Sequence, residues 1–149
     1  MKFYLMRHGE AEVFAASDLR RELTDRGKQL LRRALNDNKT SLVEVDCIIH
    51  SPFIRAIQTA QLAAEALVIK NLQCSELWTP EADPHKALES LEQFTESCCP
   101  LIITHMPLVS RVEALCTGNP LYPQPFSCGE ISEVTADFPG INLGVSKRV

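Results

Sequence analysis

Three short stretches of the chain gather imidazole and guanidinium groups: Arg7-His8-Gly9-Glu10, His50-Ser51-Pro52 followed by Arg55, and His105-Met106-Pro107. Arginine offers a planar fork of donors that stays charged and grips two phosphate oxygens at once. A neutral imidazole is a competent nucleophile toward phosphorus, and a second, protonated imidazole can donate to the equatorial oxygens. Gly9 is expected to let backbone and ligand approach closely, and the amides of a helix starting after Ser51 would add the positive end of a dipole. Such a set suits phosphoryl chemistry that works by positioning and charge neutralisation. It does not suit a metal centre, because neither HExxH nor paired CxxC spacing occurs.

Taken singly, a strand-end histidine is an ordinary structural residue and an arginine an ordinary surface charge. The charged pair Arg7-His8, ending an apolar run, is harder to explain by packing. His50 is expected to support the Ser51 turn, and His85 to sit in solvent at a helix start. The six cysteines, Cys47, Cys74, Cys98, Cys99, Cys116 and Cys128, show no metal or redox spacing and are expected to be buried free thiols.

These side chains need elements to place them, and the apolar pattern supplies an alternation. Lys2 to Met6 reads as a buried strand, and Thr24 as the cap of a helix carrying Leu30, Leu31, Ala34 and Leu35. Val45 to Ile49 is a second strand, followed by Ser51 as cap and Pro52 at the first position of a helix through Ala56, Ala60, Ala63 and Leu67. Leu72 to Leu77 is a weaker strand, Pro84 to Glu96 a helix, Leu101 to Thr104 a strong strand, and Pro107 opens a helix that stops near Gly118. Alternation at Val134, Ala136 and Phe138, then Pro139-Gly140, predicts a closing hairpin. This βαβαβαβαββ order predicts a mainly parallel sheet with helices on both faces. In such sheets ligands bind beyond the carboxyl ends of the strands, where the three motifs fall.

The 149 residues, 45% hydrophobic and 23% charged, fit one globular domain spanning 1–149. Fifteen Lys and Arg against nineteen Asp and Glu give a net charge of -4, so no global field favours nucleic acid or an anionic membrane. No apolar run approaches the ~20 residues of a membrane span, and Arg7-His8 interrupts the N-terminal run before it resembles a signal peptide. A cytoplasmic monomer without membrane insertion is expected.

Met6-Arg7-His8-Gly9-Glu10, Ser51-Pro52 with Arg55 and Thr59, and Thr104-His105 together resemble the histidine phosphatase superfamily, named for its RHG motif and its phosphoglycerate-mutase-like fold. Within it the likeness is to the short bacterial phosphohistidine phosphatases. It runs from Met1 to about Thr135 and includes Ala15-Ala16-Ser17-Asp18, Arg21 before Leu23-Thr24, and His105 before Pro107-Leu108-Val109. The resemblance implies a three-layer α/β/α fold whose mainly parallel sheet has one antiparallel strand. It implies His8 as a nucleophile that is transiently phosphorylated, Arg7 and Arg55 as phosphate clamps, His105 completing the pocket, and Arg21 as a further substrate contact. The implied activity is phosphohistidine phosphatase, acting on the phosphorylated histidine phosphotransfer (HPt-type) protein of a bacterial phosphorelay, with no cofactor and no metal.

Many superfamily members that cleave phosphate monoesters use a carboxylic acid to protonate the leaving oxygen. Here Glu81 and Asp83 are the candidates, and neither is placed by a motif. Imidazole, with a pKa near ~6.5, leaves phosphorus more readily than an alkoxide does, so a missing acid favours phosphohistidine. A small-molecule phosphomonoesterase using Glu81 or Asp83 is the alternative. A phosphate-storing relay module is a third reading, disfavoured because such modules are helical bundles. Short connections leave no large lid, which suits a protein substrate. The arginines should lower the His8 pKa below ~6.5, leaving His105 as the proton carrier.

Overall fold

The computed structural model describes residues 1–94, 98–137, 141–142 and 144–149. Six strands form one sheet: β1 (Lys2–Arg7), β2 (Cys47–His50), β3 (Leu72–Cys74), β4 (Pro100–Thr104), β5 (Ile131–Ala136) and β6 (Gly144–Arg148). Their order is β3-β2-β4-β1-β5-β6, and all neighbours are parallel except at β5, which runs antiparallel to both β1 and β6. One strand therefore opposes five, as the sequence resemblance implied. Four helices complete the layers: α1 (Asp25–Asp37), α2 (Ile54–Leu67), α3 (Pro84–Glu89) and α4 (Leu108–Cys116).

Successive side chains of a strand point to opposite faces, and β1 divides accordingly. Tyr4 and Met6 join Leu31, Leu35, Ala56, Ala60 and Ala63 of α1 and α2 in one core. Phe3 and Leu5 join Leu88, Val109, Val112 and Leu115 of α3 and α4 in the other. The central strands are buried on both faces, which is why they read as unbroken apolar runs. The small buried face of α2, Ala56, Ala60 and Ala63, presents no bulk between the helix and the sheet.

Several boundaries depart from the sequence expectation. Leu30 is exposed, and α1 instead buries Gly27, Leu31 and Leu35, a strict four-residue spacing. Thr24 caps α1 as expected, its Oγ1 accepting from the Gly27 amide at 2.8 Å. Helix α2 begins at Ile54 rather than Pro52, with Phe53 at the cap position: the Ser51 hydroxyl accepts from the Phe53 amide at 3.4 Å, and the helical ladder starts from the Phe53 carbonyl. The third strand stops at Cys74, and Ser75 caps a single 3₁₀ turn that drops Trp78 into the core. Helix α3 ends at Glu89 and continues as a 3₁₀ turn to Gln93, while its expected end at Glu96 lies outside the described residues. Beyond α4, Gly118 adopts φ +77°, and the Gly118 and Asn119 amides return to Leu115 and Ala114, closing the helix. The expected Pro139-Gly140 turn is also outside the described residues, although β5 and β6 do pair antiparallel. Among the described residues no helix is long and apolar enough to cross a membrane.

Cys47, Cys99 and Cys116 are buried, Cys98 is half-buried, and Cys74 and Cys128 are exposed, so the expectation of six buried thiols is corrected. Cys74 ends an edge strand and Cys128 lies in a surface turn, so neither position has a core to enter. Asp46, Cys47 and Cys98 come within 4.8 Å of one another. That proximity is invisible in their spacing, and it sits where β2 begins, at the end of the strand away from His50.

Candidate active site

The register of three adjacent parallel strands assembles the site. Arg7 lies beside Thr104, and His50 beside Ile103, so β1, β4 and β2 end level with one another. The His8 amide donates to the Thr104 carbonyl at 3.0 Å, and the Ser51 amide to the Ile103 carbonyl at 3.2 Å. His8, His105 and Ser51 are thus the first residues past three neighbouring strands. Their positions follow from the ladder, not from the loops.

His8 is nearly fully buried, at 6% exposure. Its Nδ1 lies 2.7 Å from the Gly9 carbonyl oxygen, an acceptor only, so Nδ1 carries the proton. Nε2 is then the lone-pair nitrogen, and it accepts from Arg55 Nε at 3.1 Å. The ring is held in one tautomer with its nucleophilic nitrogen facing a guanidinium. Burial first, joined by the charges of Arg55, Arg7 and Arg21 and opposed by the hydrogen bond to Gly9, lowers the His8 pKa to about 4. The direction matches the sequence expectation, but desolvation outweighs the arginines as its cause.

His105 is tilted against His8 with ring centroids 5.0 Å apart, and Phe53 packs edge-on to it at 4.9 Å. Its Nε2 is 2.8 Å from Ser51 Oγ, while Nδ1 is buried with no protein partner. Burial first, then His8 and Arg55, push its pKa down to about 2. In the free protein His105 is therefore neutral, and more resistant to protonation than His8. His105 was expected to be the proton carrier of the two, and in the free protein its pKa lies lower than that of His8.

Arg55 sits in the first turn of α2, its side chain 3% exposed and its guanidinium 4.8 Å above the Phe53 ring. Nη1 donates to the Asp18 carbonyl at 2.7 Å and Nη2 to the Asp18 carboxylate at 3.0 Å. Arg21 donates through Nε to the other oxygen of that carboxylate at 2.7 Å. Asp18 thereby ties Arg21 and Arg55 together. Burial alone would raise the Asp18 pKa, but hydrogen bonds from Arg21 and Arg55 outweigh it and hold the carboxyl below its ordinary range. The sequence resemblance included Asp18 within Ala15-Ala16-Ser17-Asp18 but gave it no role.

Arg7 places Nη1 2.7 Å from the Phe126 carbonyl, and its Nε is buried without a protein partner. Thr59, quoted in the sequence resemblance, accepts from the Gly9 amide at 3.2 Å and donates to the Arg55 carbonyl at 2.7 Å, joining the two motifs. Gly9 has a packing role beside the one expected. A Cβ there would meet the side chains of Leu31 on α1 and of Leu23 just before it, so the glycine also lets β1's exit pack against the core.

All five residues expected at the site thus gather around His8, with Arg21 linked through Asp18. The His50 ring donates through Nδ1 to the Ser51 carbonyl at 2.9 Å, within its own turn, and His85 is exposed, both as expected. Asp83 caps α3 by accepting from the His85 amide at 2.9 Å, and Glu81 is exposed. Among the described residues neither carboxylate bonds to His8, His105, Arg7 or Arg55. Two buried imidazoles, one buried guanidinium and a half-buried second one, with Arg7 Nε and His105 Nδ1 left without a protein partner, are chemically suited to receive a tetrahedral oxyanion beside the His8 ring. The Nε2 lone pair of that ring is held by Arg55 until an anion takes that donor.

Comparison with known proteins points the same way. The family described as histidine phosphatase superfamily (branch 1) matches residues 3–79. The phosphohistidine phosphatase SixA of Escherichia coli (strain K12) is 34% identical over 147 residues, covering 94% of this chain and 88% of its own. A solved structure of the protein histidine phosphatase SixA complexed with tungstate is 32% identical, with a TM-score of 0.89 over 99% of this chain and 94% of that one. A phosphoglycerate mutase from Plasmodium falciparum shares the fold, with a TM-score of 0.74 at 22% identity over 99% of this chain and 89% of that one.

Proposed function

Since this chain belongs to the histidine phosphatase superfamily, we propose that it is a phosphohistidine phosphatase that acts on a histidine phosphotransfer (HPt-type) protein through a phosphorylated His8. The observation that carries the reading is the locked neutral tautomer of His8, with Nε2 3.1 Å from Arg55 Nε. The relative that was solved with tungstate held a tetrahedral oxyanion, the shape the proposed receptacle is suited to.

In the proposed reaction His8 Nε2 attacks phosphorus in line, forming a new nitrogen–phosphorus bond as the bond to the substrate imidazole breaks. With the other nitrogen of the substrate ring protonated from solvent before the bond breaks, the bonding pair returns to the ring and the leaving group is neutral imidazole, a modest base whose conjugate acid has a free pKa of ~6.5. Arg7, Arg55 and Arg21 neutralise the equatorial oxygens, which carry most of the charge in the transition state. Water then attacks the phosphorylated His8, releasing inorganic phosphate and restoring the imidazole. His105, neutral in the free protein, gains reason to hold a proton only when a phosphate dianion is beside it. The exposed Val13 and Phe14, on the loop that carries Asp18 and Arg21, give the site an apolar rim suited to a protein surface.

The test is rapid mixing with a phosphorylated histidine phosphotransfer domain, followed by alkaline quench and mass spectrometry. Wild-type protein is expected to accumulate phosphate on His8 and release it. His8→Asn should lose turnover by at least about 10³-fold while keeping its fold. Undiminished activity in that variant sinks the nucleophile assignment.

A further inference from the structure

The segment Thr117–Glu130, between α4 and β5, holds no helix or strand, yet its end wraps the exit of β1. The Arg7 amide donates to the Glu130 carbonyl at 3.1 Å, and the Gly129 amide reaches the carbonyls of both Arg7 and His8, at 3.0 and 3.1 Å. The Phe126 carbonyl takes the Arg7 guanidinium at 2.7 Å. Four hydrogen bonds therefore run from residues 126–130 to the two residues at the centre of the proposed site.

That segment is itself held from the far edge of the sheet. Arg148, at the end of β6, lays its guanidinium over the Phe126 ring, 3.5 Å from the centroid. Its two terminal nitrogens bind both oxygens of Glu113 on α4, at 2.9 and 2.8 Å, and its Nε pairs with Glu130 at 3.1 Å. Ser132 on β5 donates to the same Glu113 oxygen, so that carboxylate is buried but satisfied. The other Glu130 oxygen accepts from the Ser127 amide, pinning the turn from within. One side chain thus fixes a strand, a helix and the turn that carries Arg7's carbonyl partner. Arg148 uses every face of its guanidinium, and a lysine could reproduce neither the bidentate pair nor the flat stacking plane.

We propose that Arg148 is a positioning residue for the oxyanion site, acting on Arg7 through the Phe126–Glu130 turn. This rests on the reading of Arg7 as a phosphate clamp. Removing Arg148 frees Phe126 and Glu130 together, the Phe126 carbonyl loses its place, and the Arg7 guanidinium samples orientations that do not meet the anion. The loss is then one of oxyanion affinity, transmitted through a neighbour, and not of the nucleophile.

The experiment measures the inhibition constant of tungstate and the kcat and KM for an aryl phosphate in wild type, Arg7→Ala, Arg148→Ala, Arg148→Lys and the double variant Arg7→Ala/Arg148→Ala. Arg148→Ala is expected to weaken tungstate and raise KM by the same factor, about three- to tenfold, and Arg148→Lys to recover little of it. In the Arg7→Ala background the Arg148 change should add almost nothing, because its target is gone. If Arg148→Ala lowers kcat through a smaller folded fraction while tungstate affinity stays at the wild-type value, the role is purely structural and the proposal is overturned. Multiplying effects in the double variant overturn it as well. If Arg7→Ala itself leaves tungstate affinity unchanged, the clamp reading fails first and takes this proposal with it. Should Arg148→Ala not fold, Arg148→Lys and Phe126→Leu carry the same comparison.

Discussion

His8 and His105 are two imidazoles stripped of water in a cluster of positive charge, and the consequence is a pH dependence of a particular sign. Both pKa values lie below the free value, His8 at about 4 and His105 at about 2, first because burial disfavours the charged ring. The unfolded chain takes up these two protons near ~6.5, whereas the folded chain resists them to lower pH. The unfolded state therefore binds more protons between those limits, and stability falls as pH drops below about 6.5. The His8 contribution is spent by about pH 4, and that of His105 only near pH 2. NMR titration of the unliganded protein should find both rings neutral at pH 5, each with a single tautomer signature. A ring that titrates near ~6.5 contradicts the buried geometry. Replacing His8 by Asn should flatten the loss of stability between pH 6 and 4, read from urea midpoints across that range.

Elements carry the site as much as residues do, and α1 shows how. Its first turn lies on the chain just past His8: the Thr24 amide donates to the Glu10 carbonyl at 3.0 Å, and the Thr24 hydroxyl to the Glu10 carboxylate at 2.8 Å. Gly27 makes this approach feasible, since a Cβ there would overlap the Glu10 carbonyl. Alanine in place of glycine favours an isolated helix by up to about 1 kcal/mol. Here the obstacle is backbone, which cannot rotate aside, so Gly27→Ala should destabilise by roughly 1–3 kcal/mol. A lower urea midpoint at unchanged slope checks it, and a higher midpoint refutes it. The apolar runs of β1 and β4 were legible in the sequence because both faces of those strands are buried and the pattern is unbroken. The start of α2 was misplaced for an equally physical reason. Ser51-Pro52 has the chemistry of a helix cap, and the hydroxyl accepts from the Phe53 amide at 3.4 Å while it also meets the His105 ring at 2.8 Å, but the helical ladder starts only from the Phe53 carbonyl. The role of Asp18, quoted in the resemblance without one, and that of the Phe126–Glu130 turn were illegible, because both act through contacts between distant parts of the chain that no local period records.

At the scale of the whole molecule, the question is what the strand-end receptacle prefers to cleave, and the leaving group decides. Glu81 is exposed and Asp83 is spent on capping α3, so the loop after β3 offers no carboxylate bonded to the site. An alkoxide expelled without a proton is a far stronger base than imidazole, and each pKa unit of leaving-group strain raises the barrier in proportion to the charge developed on it. Phosphohistidine on a protein should therefore turn over fastest, aryl phosphates more slowly, and alkyl phosphates slowest. Val13 and Phe14, at 75% and 90% exposure, give the loop beside the site an apolar surface open to a macromolecule. Across a monoester series, log kcat/KM should climb steeply as the leaving-group pKa falls. The check is a set of substituted phenyl and alkyl phosphates assayed beside a phosphorylated histidine phosphotransfer domain. A flat dependence in wild type that turns steep in Glu81→Gln or Asp83→Asn would reveal a working general acid, and the substrate would then be a small phosphate monoester.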